Sequence, residues 1–144
     1  MADIGTDHGY LPVFLAQSGL ARRIVASDSS AGSLGAARRS AAKRGVEGDI
    51  TFIVAQGLDG VADMDIDTVV IAGMGGETIS GILEDAPWTK SGVRLILQPQ
   101  TKLGHLEDFL RENGYVIREM IMTHDRGRDY TVLLAEGEGQ FEED

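Results

Sequence analysis

The sequence predicts an α/β protein with a mostly parallel, doubly wound sheet that ends in an antiparallel strand. Two observations predict this fold. Short apolar, β-branched runs alternate with segments of helical spacing almost throughout the chain, and strands separated by helices pair in parallel through right-handed crossovers. The last two apolar runs follow each other with only a short loop between them, and such strands pair antiparallel.

The strand predictions rest on runs rich in valine, isoleucine and leucine. Residues 68–72 and 93–97 are apolar almost without interruption, which is typical of strands covered on both faces. Residues 115–122 and 130–136 predict a hairpin, because the loop 123–129 is too short for a crossover helix. Two further runs predict strands at 23–27 and 50–54.

The first strand departs from this pattern. Only residues 1–4 precede the first glycine-rich segment, although that strand should lie near the middle of the sheet. Either the chain has been cut from a longer protein, or its first strand is abnormally short.

Helices are predicted between the strands. Pro12 near a helix start and Gly19 at its end bracket one helix, and residues 103–110 form another that Asn113-Gly114 ends with a left-handed turn. A further segment carries a cluster of cations, which we interpret as a solvated helix face in preference to a nucleic acid contact. The cluster consists of Arg38, Arg39, Lys43 and Arg44.

Length and composition exclude several classes of protein. The chain of 144 residues, 42% hydrophobic and 25% charged, suits one packed domain, which we place at residues 1–136, followed by an acidic, disordered tail at 137–144. No apolar run approaches the about 20 residues that span a bilayer, and no leader precedes the domain, so we expect a soluble, cytoplasmic protein. We expect no metal site, because cysteine is absent and His8, His105 and His124 are scattered.

The net charge of −10 disfavours a freestanding nucleic acid binder, since such binding depends on cations that neutralise phosphates. This charge also bears on the kind of cofactor that the glycine-rich segment holds.

The first glycine-rich segment predicts a nucleotide-type cofactor site. Gly5-x-Asp7-x-Gly9 follows a strand end and opens a helix, where a tight turn lets a ligand approach the backbone. Asp28 ends the next strand about 20 residues later, where an acidic side chain accepts hydrogen bonds from ribose hydroxyls. Asp3 and Asp7 would repel a pyrophosphate but attract the sulfonium and ammonium groups of S-adenosylmethionine. The segment therefore favours S-adenosylmethionine over NAD.

Structural alternatives remain for these residues. Gly5 and Gly9 could merely shape a turn, with Asp7 capping the next helix, and Asp28 could be a helix N-cap before Ser29-Ser30.

Three later segments predict the rest of the site. Glycines at 73, 75 and 76 follow a central strand, where backbone approaches a ligand or adopts positive φ, and Met74 forms a pocket wall or packs in the core. Gln98-Pro99 ends the next strand and presents an amide to a substrate base edge, unless Pro99 simply stops the strand. Arg126, in the predicted loop 123–129, either contacts substrate or lies in a solvated hairpin loop.

The chain resembles one family, the bacterial TrmK-type tRNA methyltransferases, which methylate N1 of an adenine in tRNA. The resemblance lies in residues 2–12 (ADIGTDHGYLP), 71–76 (IAGMGG) with Thr78-Ile79, and 97–100 (LQPQ). It implies a Rossmann-like class I methyltransferase fold with S-adenosylmethionine as methyl donor. Family members begin with a helical segment and end with a helical, coiled-coil-like domain, and neither is present here. We therefore expect this acidic chain alone to bind its partner, tRNA, weakly.

The sequence and the resemblance together suggest roles for individual residues. The residues nearest the methyl transfer are Asp7, His8, Gly73, Met74 and Gly75. The cofactor-binding candidates are Asp3, Gly5, Thr6, Asp7, Gly9, Asp28, Ser29, Gln56, Gly57, Leu58, Ala72 and Gly73. The substrate-binding candidates are Gly76, Gln98, Pro99 and Arg126.

Two other functions remain open from the sequence. The short chain could bind S-adenosylmethionine without transferring its methyl group, or it could methylate a small molecule, as its negative charge allows.

Overall fold

The computed structural model describes residues 1–6, 9–21 and 23–138, with Tyr10 described by its backbone alone. The chain divides into two compact units, residues 1–66 and 67–144. In the part of the chain that is described, no helix is long and apolar enough to cross a membrane. Of the predicted tail, residues 139–144 lie outside the described residues.

The first unit is a parallel three-stranded sheet with two α-helices. Its strands pair in the order β3-β2-β1, and its third strand follows a 3-10 turn at Glu47–Asp49. The predicted order of strand and helix is confirmed in this unit. Its elements are β1 (Ala2–Ile4), α1 (Tyr10–Ser18), β2 (Ile24–Asp28), α2 (Ala31–Lys43) and β3 (Ile50–Val54).

Both helices of the first unit pack on the same face of β2. Val13 of α1 and Ala41 of α2 belong to one buried cluster with Ile24 and Ala26, which alternate along the strand and so share a face. β1 has three residues, as the position of the glycine-rich segment predicts. Three register pairs, Ala2↔Val25, Asp3↔Ala26 and Ile4↔Ser27, fix that short strand against β2.

The second unit is a mixed four-stranded sheet with two α-helices and a 3-10 turn at Pro87–Lys90. Its strands pair in the order β4-β5-β7-β6; β4 and β5 are parallel, and β7 is antiparallel to both β5 and β6. The predicted antiparallel end of the sheet is confirmed. The elements are β4 (Thr68–Gly75), α3 (Gly76–Glu84), β5 (Arg94–Thr101), α4 (Leu103–Glu112), β6 (Tyr115–Asp125) and β7 (Arg128–Gly137).

The core of the second unit lies between this sheet and its helices. Leu97 and Leu133, which are register partners, are both fully buried, and so are Ile79 of α3 and Leu110 of α4. Side chains of this size stabilise the fold by about 1.5–3 kcal/mol each when fully buried.

The four strands of the second unit, β4 to β7, run further than predicted. β5 continues past Pro99 to Thr101, so the alternative that this proline simply stops the strand is wrong. Pro99 pairs with Met74, where the ladder shifts register on both sides, and a proline is tolerated in such an irregular pairing because it has no N–H to donate. The predicted loop 123–129 is also wrong in extent, because β6 and β7 remain paired up to Asp125 and Arg128.

The hairpin turn explains that difference. Arg126 and Gly127, the two residues between the strands, have φ of 51° and 77°. Two residues of positive φ form the tight turn whose twist matches that of antiparallel strands, so the pairing continues to the turn itself. At the other end, β7 includes Gly137, and the Glu138 N–H donates to the carbonyl of Gly114 at 2.7 Å.

Candidate functional site

The first glycine-rich segment forms a turn that is tied to the end of β2. The N–H groups of Gly5 and Thr6 both donate to the carbonyl of Ser27, at 2.8 and 3.0 Å, and the Gly9 N–H donates to the Thr6 carbonyl at 3.0 Å. Gly5 has φ of 71°, which glycine adopts without strain. The backbone of the turn is therefore held at the carboxyl ends of two adjacent parallel strands.

Gly9 is required at its position for two physical reasons. Its φ is 75°, and a Cβ built on it would come within 2.7 Å of the Ala37 Cβ in α2. The start of α1 therefore packs closely on α2 only because residue 9 lacks a side chain. Asp7 and His8 lie outside the described residues, and the roles that the sequence suggests for them remain predictions.

Asp3 is a buried carboxyl group inside this turn. Its exposed fraction is 7%, and the Thr6 hydroxyl donates to its Oδ2 at 2.9 Å. Burial raises the pKa of Asp3 from 3.8 to about 6, a shift that the Thr6 hydrogen bond opposes and the neighbouring Asp28 reinforces. Among the described residues no cation pairs with this carboxylate, so a positively charged ligand group would offset the free-energy cost of burying its charge.

Asp28 lies at the end of β2 and is half-buried. Its Oδ1 accepts a hydrogen bond from the Ser30 N–H at 2.9 Å, which stiffens the turn into α2. The N-cap of α2 is Ser30, whose hydroxyl oxygen accepts from the Ser33 N–H at 3.2 Å. The alternative that Asp28 caps this helix is therefore wrong. The sequence did not distinguish Asp28 from the serines that follow it, because aspartate and serine are both common N-caps.

Ser30→Ala is expected to lower the free energy of unfolding by about 1 kcal/mol, because the Ser33 N–H loses its acceptor. Ser29→Ala is the matched control, and its effect should stay within about 0.5 kcal/mol. Urea unfolding followed by circular dichroism measures both. Equal destabilisation by the two variants would reject Ser30 as the cap.

The loop after β3 also joins the end of β2. The Ala55 N–H donates to the Asp28 carbonyl at 3.0 Å, and the Asp59 N–H donates to the Gln56 carbonyl at 3.0 Å. Gly57 has φ of 53° within this turn. The Gln56 side chain is exposed, whereas Leu58 is buried. The loop therefore offers Gln56 to a ligand and uses Leu58 to anchor itself.

In the second unit, Gln98 holds the glycine segment after β4. Gly73 has φ of 78°, and its N–H donates to Gln98 Oε1 at 3.1 Å, while Gln98 Nε2 donates to the Pro99 carbonyl at 3.3 Å. The Gln98 amide, which is predicted to contact a substrate base edge, is thus already hydrogen-bonded within this turn. Ala72, at the end of the regular pairing, is exposed.

Gly75 and Gly76 allow a close approach of two chain segments. A Cβ on Gly75 would lie 3.0 Å from Thr101 Oγ1, and one on Gly76 would lie 2.2 Å from the Lys102 carbonyl oxygen. Lys102 itself has φ of 57°. Lys102 could not be predicted from the sequence, since no glycine or asparagine marks its unusual backbone conformation.

Arg126 lies at the exposed tip of the hairpin. Below the tip, His124 Nδ1 and Asp129 Oδ1 are 2.7 Å apart across the two strands. β7 pairs with β5 only up to Leu133↔Leu97, so the tip extends beyond the region where the three strands are paired.

The structure thus groups the predicted residues within each unit. Asp3, Gly5, Thr6, Gly9, Asp28 and the Gln56–Leu58 loop lie at the carboxyl ends of β1, β2 and β3, where open α/β sheets bind ligands. In the second unit, the segment 72–76 meets residues 98–102.

This arrangement is that of a class I methyltransferase, and the chain belongs to the methyltransferase domain family, whose model matches residues 1–133. It is similar to the tRNA (adenine(22)-N(1))-methyltransferase of Bacillus subtilis, with 34% identity over 137 residues that cover 94% of this chain and 58% of the relative. The resemblance seen in the sequence is confirmed. The chain spans about three fifths of the length of this relative.

Solved structures share the fold. The B. subtilis m1A22 tRNA methyltransferase TrmK is 33% identical, with a TM-score of 0.88 over 95% of this chain and 59% of that one. M. capricolum TrmK in complex with S-adenosylhomocysteine is 28% identical, with a TM-score of 0.83 over 99% of this chain and 65% of that one. The predicted Rossmann-like methyltransferase fold is therefore confirmed.

Proposed function

We propose that this chain is the cofactor-binding and methyl-transfer part of an S-adenosylmethionine-dependent tRNA (adenine-N1)-methyltransferase. The observation that carries the proposal is the turn of Gly5 and Thr6, which holds the buried carboxyl of Asp3 beside Asp28. The names of the B. subtilis and M. capricolum relatives support it. The proposal includes a cytoplasmic location, where tRNA is processed.

The first unit suits the binding of S-adenosylmethionine. Asp3 has the charge to hold the ammonium group of the cofactor, and Asp28 has acceptor oxygens for the two ribose hydroxyls. The turn of Gly5 and Thr6, Ser29 and the 56–58 loop border the same strand ends. No phosphate is present in this cofactor to oppose the two carboxylates.

The second unit is proposed to serve the substrate. Gly73, Met74 and Gly75 would lie along the reacting adenine, and Gly76, Gln98 and Pro99 would shape its surroundings. Arg126, at the hairpin tip, would contact the RNA outside the base. For Asp7 and His8, the role beside the transferred methyl group is proposed from the sequence alone.

The proposed chemistry needs little from the protein beyond position and environment. Bound S-adenosylmethionine supplies an electrophilic methyl group on a positively charged sulfur. Adenine N1 has an in-plane lone pair and attacks that carbon in line, so that the N–C bond forms as the S–C bond breaks, without a general base. The residues of the chain align the two reactants, exclude water and favour the positive charge that passes to the base.

The experiment is calorimetry with S-adenosylmethionine, followed by transfer of a labelled methyl group to a tRNA transcript. Saturable binding and incorporation that disappears when the target adenine is replaced by guanine are the expected results. Binding without incorporation would identify a binding module. Incorporation into small metabolites but not into tRNA would identify a small-molecule methyltransferase, and saturable NADH binding would contradict the cofactor assignment.

A further inference from the structure

Helix α2 carries an unusual concentration of positive charge. Four of the 13 lysines and arginines lie at positions 38–44, in a chain of net charge −10, and α2 contains no acidic residue. All four side chains are exposed, and within residues 1–6, 9–21 and 23–138 none of them forms an ion pair. This α2 basic face consists of Arg38, Arg39, Lys43 and Arg44.

The position of these cations is only partly explained by helix stability. Lys43 and Arg44 lie at the C-terminal end of α2, where the helix dipole favours positive charge. Arg38 and Arg39 lie more than a turn earlier, so the dipole accounts for little of their placement. The Arg38 guanidinium carbon lies 4.9 Å from the centroid of the Phe52 ring, which orients that cation over β3.

An aromatic side chain lies next to this charge. A shallow groove of about 220 Å³ runs between α1 and α2 and is lined by Val13, Phe14, Gln17, Ser40 and Arg44. Phe14 is 57% exposed, which is a large apolar area to leave in water. Cations interleaved with an exposed aromatic ring are typical of surfaces that bind RNA, where the ring stacks on an unpaired base.

We infer that the α2 basic face, which the sequence alone favours as a solvated helix face, instead binds the RNA substrate together with Phe14. The contacts are with the sugar-phosphate backbone and one unpaired base, and the inference rests on the proposed function. α2 begins next to Asp28, and a rise of about 1.5 Å per residue places residues 38–44 about 12–20 Å along the helix from that end. The contacted phosphates therefore lie away from Asp28, where the cofactor is proposed to bind. The surface contributes to RNA affinity and leaves the transfer step unchanged.

The test is the double variant Arg39→Gln, Lys43→Gln, whose two positions share one helix face. Fluorescence anisotropy with a labelled tRNA transcript should show about tenfold weaker binding at about 50 mM salt, and a salt slope reduced by about 1.5–2. Phe14→Ala should weaken binding about three- to tenfold with an unchanged salt slope. The affinity for S-adenosylmethionine and the single-turnover rate at saturating RNA should stay at wild-type values.

Arg111→Glu is the matched control, because it makes the same change of two charges on an exposed helix of the second unit. Its RNA affinity should remain within about twofold of the wild type. Equal losses of RNA affinity in the control and the double variant would overturn the inference. It would also be overturned if the double variant kept its RNA affinity but lost binding to phosphatidylserine vesicles. Failure of the wild type to methylate tRNA would reject the proposed function separately, since the effect of the double variant on RNA binding is measured without transfer.

Discussion

Asp3→Asn should weaken the binding of S-adenosylmethionine about 30-fold at pH 7.5 while making the ligand-free protein more stable. The loss of affinity follows because a hydrogen bond to a charged group is worth about 1.5–3 kcal/mol, and asparagine cannot neutralise the ammonium group. The gain in stability follows because the variant removes a buried charge that is paired with no cation among the described residues. Calorimetry measures the affinity, and urea unfolding measures the stability.

The pH dependence of the folding stability has a definite sign. Since the folded-state pKa of Asp3 is about 6 and the ordinary value is 3.8, protonated Asp3 is favoured by folding, and this contribution is lost as pH rises through 6. The shift corresponds to about 3 kcal/mol, and burial of the asparagine N–H groups offsets part of it. We therefore expect Asp3→Asn to be more stable than the wild type by about 1–2 kcal/mol above pH 7, with no advantage near pH 4.

Cofactor binding should respond to pH in the opposite direction. In the wild type, affinity should fall as pH drops from about 7 to 5, because the carboxyl of Asp3 becomes protonated, whereas the variant should show no such change. Asp63→Asn, an exposed substitution in the same unit with the same change of charge, is the control and should match the wild type. Loss of both stability and affinity in Asp3→Asn would show that Asp3 is structural and does not bind the cofactor.

Gly76→Ala should lower the free energy of unfolding by about 3 kcal/mol and produce little folded protein at 37 °C. The added Cβ would lie 2.2 Å from the carbonyl oxygen of Lys102, and that oxygen belongs to the backbone, so no side-chain rotation relieves the clash. Either α3 or the segment before α4 must move, and this disturbs the Gly73–Gln98 turn as well. Urea unfolding of the purified variant measures the effect.

Gly81→Ala is the matched control in the same helix. A Cβ at Gly81 would meet no atom within 4 Å, and the residue lies in the middle of α3. Alanine is preferred over glycine in a helix interior, so this variant should be more stable than the wild type by about 0.5–1 kcal/mol. If both alanine variants had the same stability, the close approach of Gly76 to Lys102 would be contradicted.

Much of the candidate site could be predicted from the sequence because its signals are local. Glycine at positions 5, 9 and 73 marks backbone of positive φ, and the structure gives each of them a φ between 71° and 78°. The end of β2 at Asp28 was likewise evident, since an acidic residue follows a short apolar run. The position of Asp28 alone did not show whether it caps the helix or contacts a ligand, and the N-cap of α2 is Ser30.

The sequence by itself determined the succession of strands and helices, the antiparallel end of the sheet and the glycine turns, because hydrophobic period and backbone sterics act between neighbouring residues. Only the tertiary structure decided which groups are paired and buried. It engaged the Gln98 amide with Gly73, placed Lys102 against Gly76 and raised the pKa of Asp3 through burial. These properties depend on segments that are distant in the chain and adjacent in space, and no local pattern of residues records that proximity.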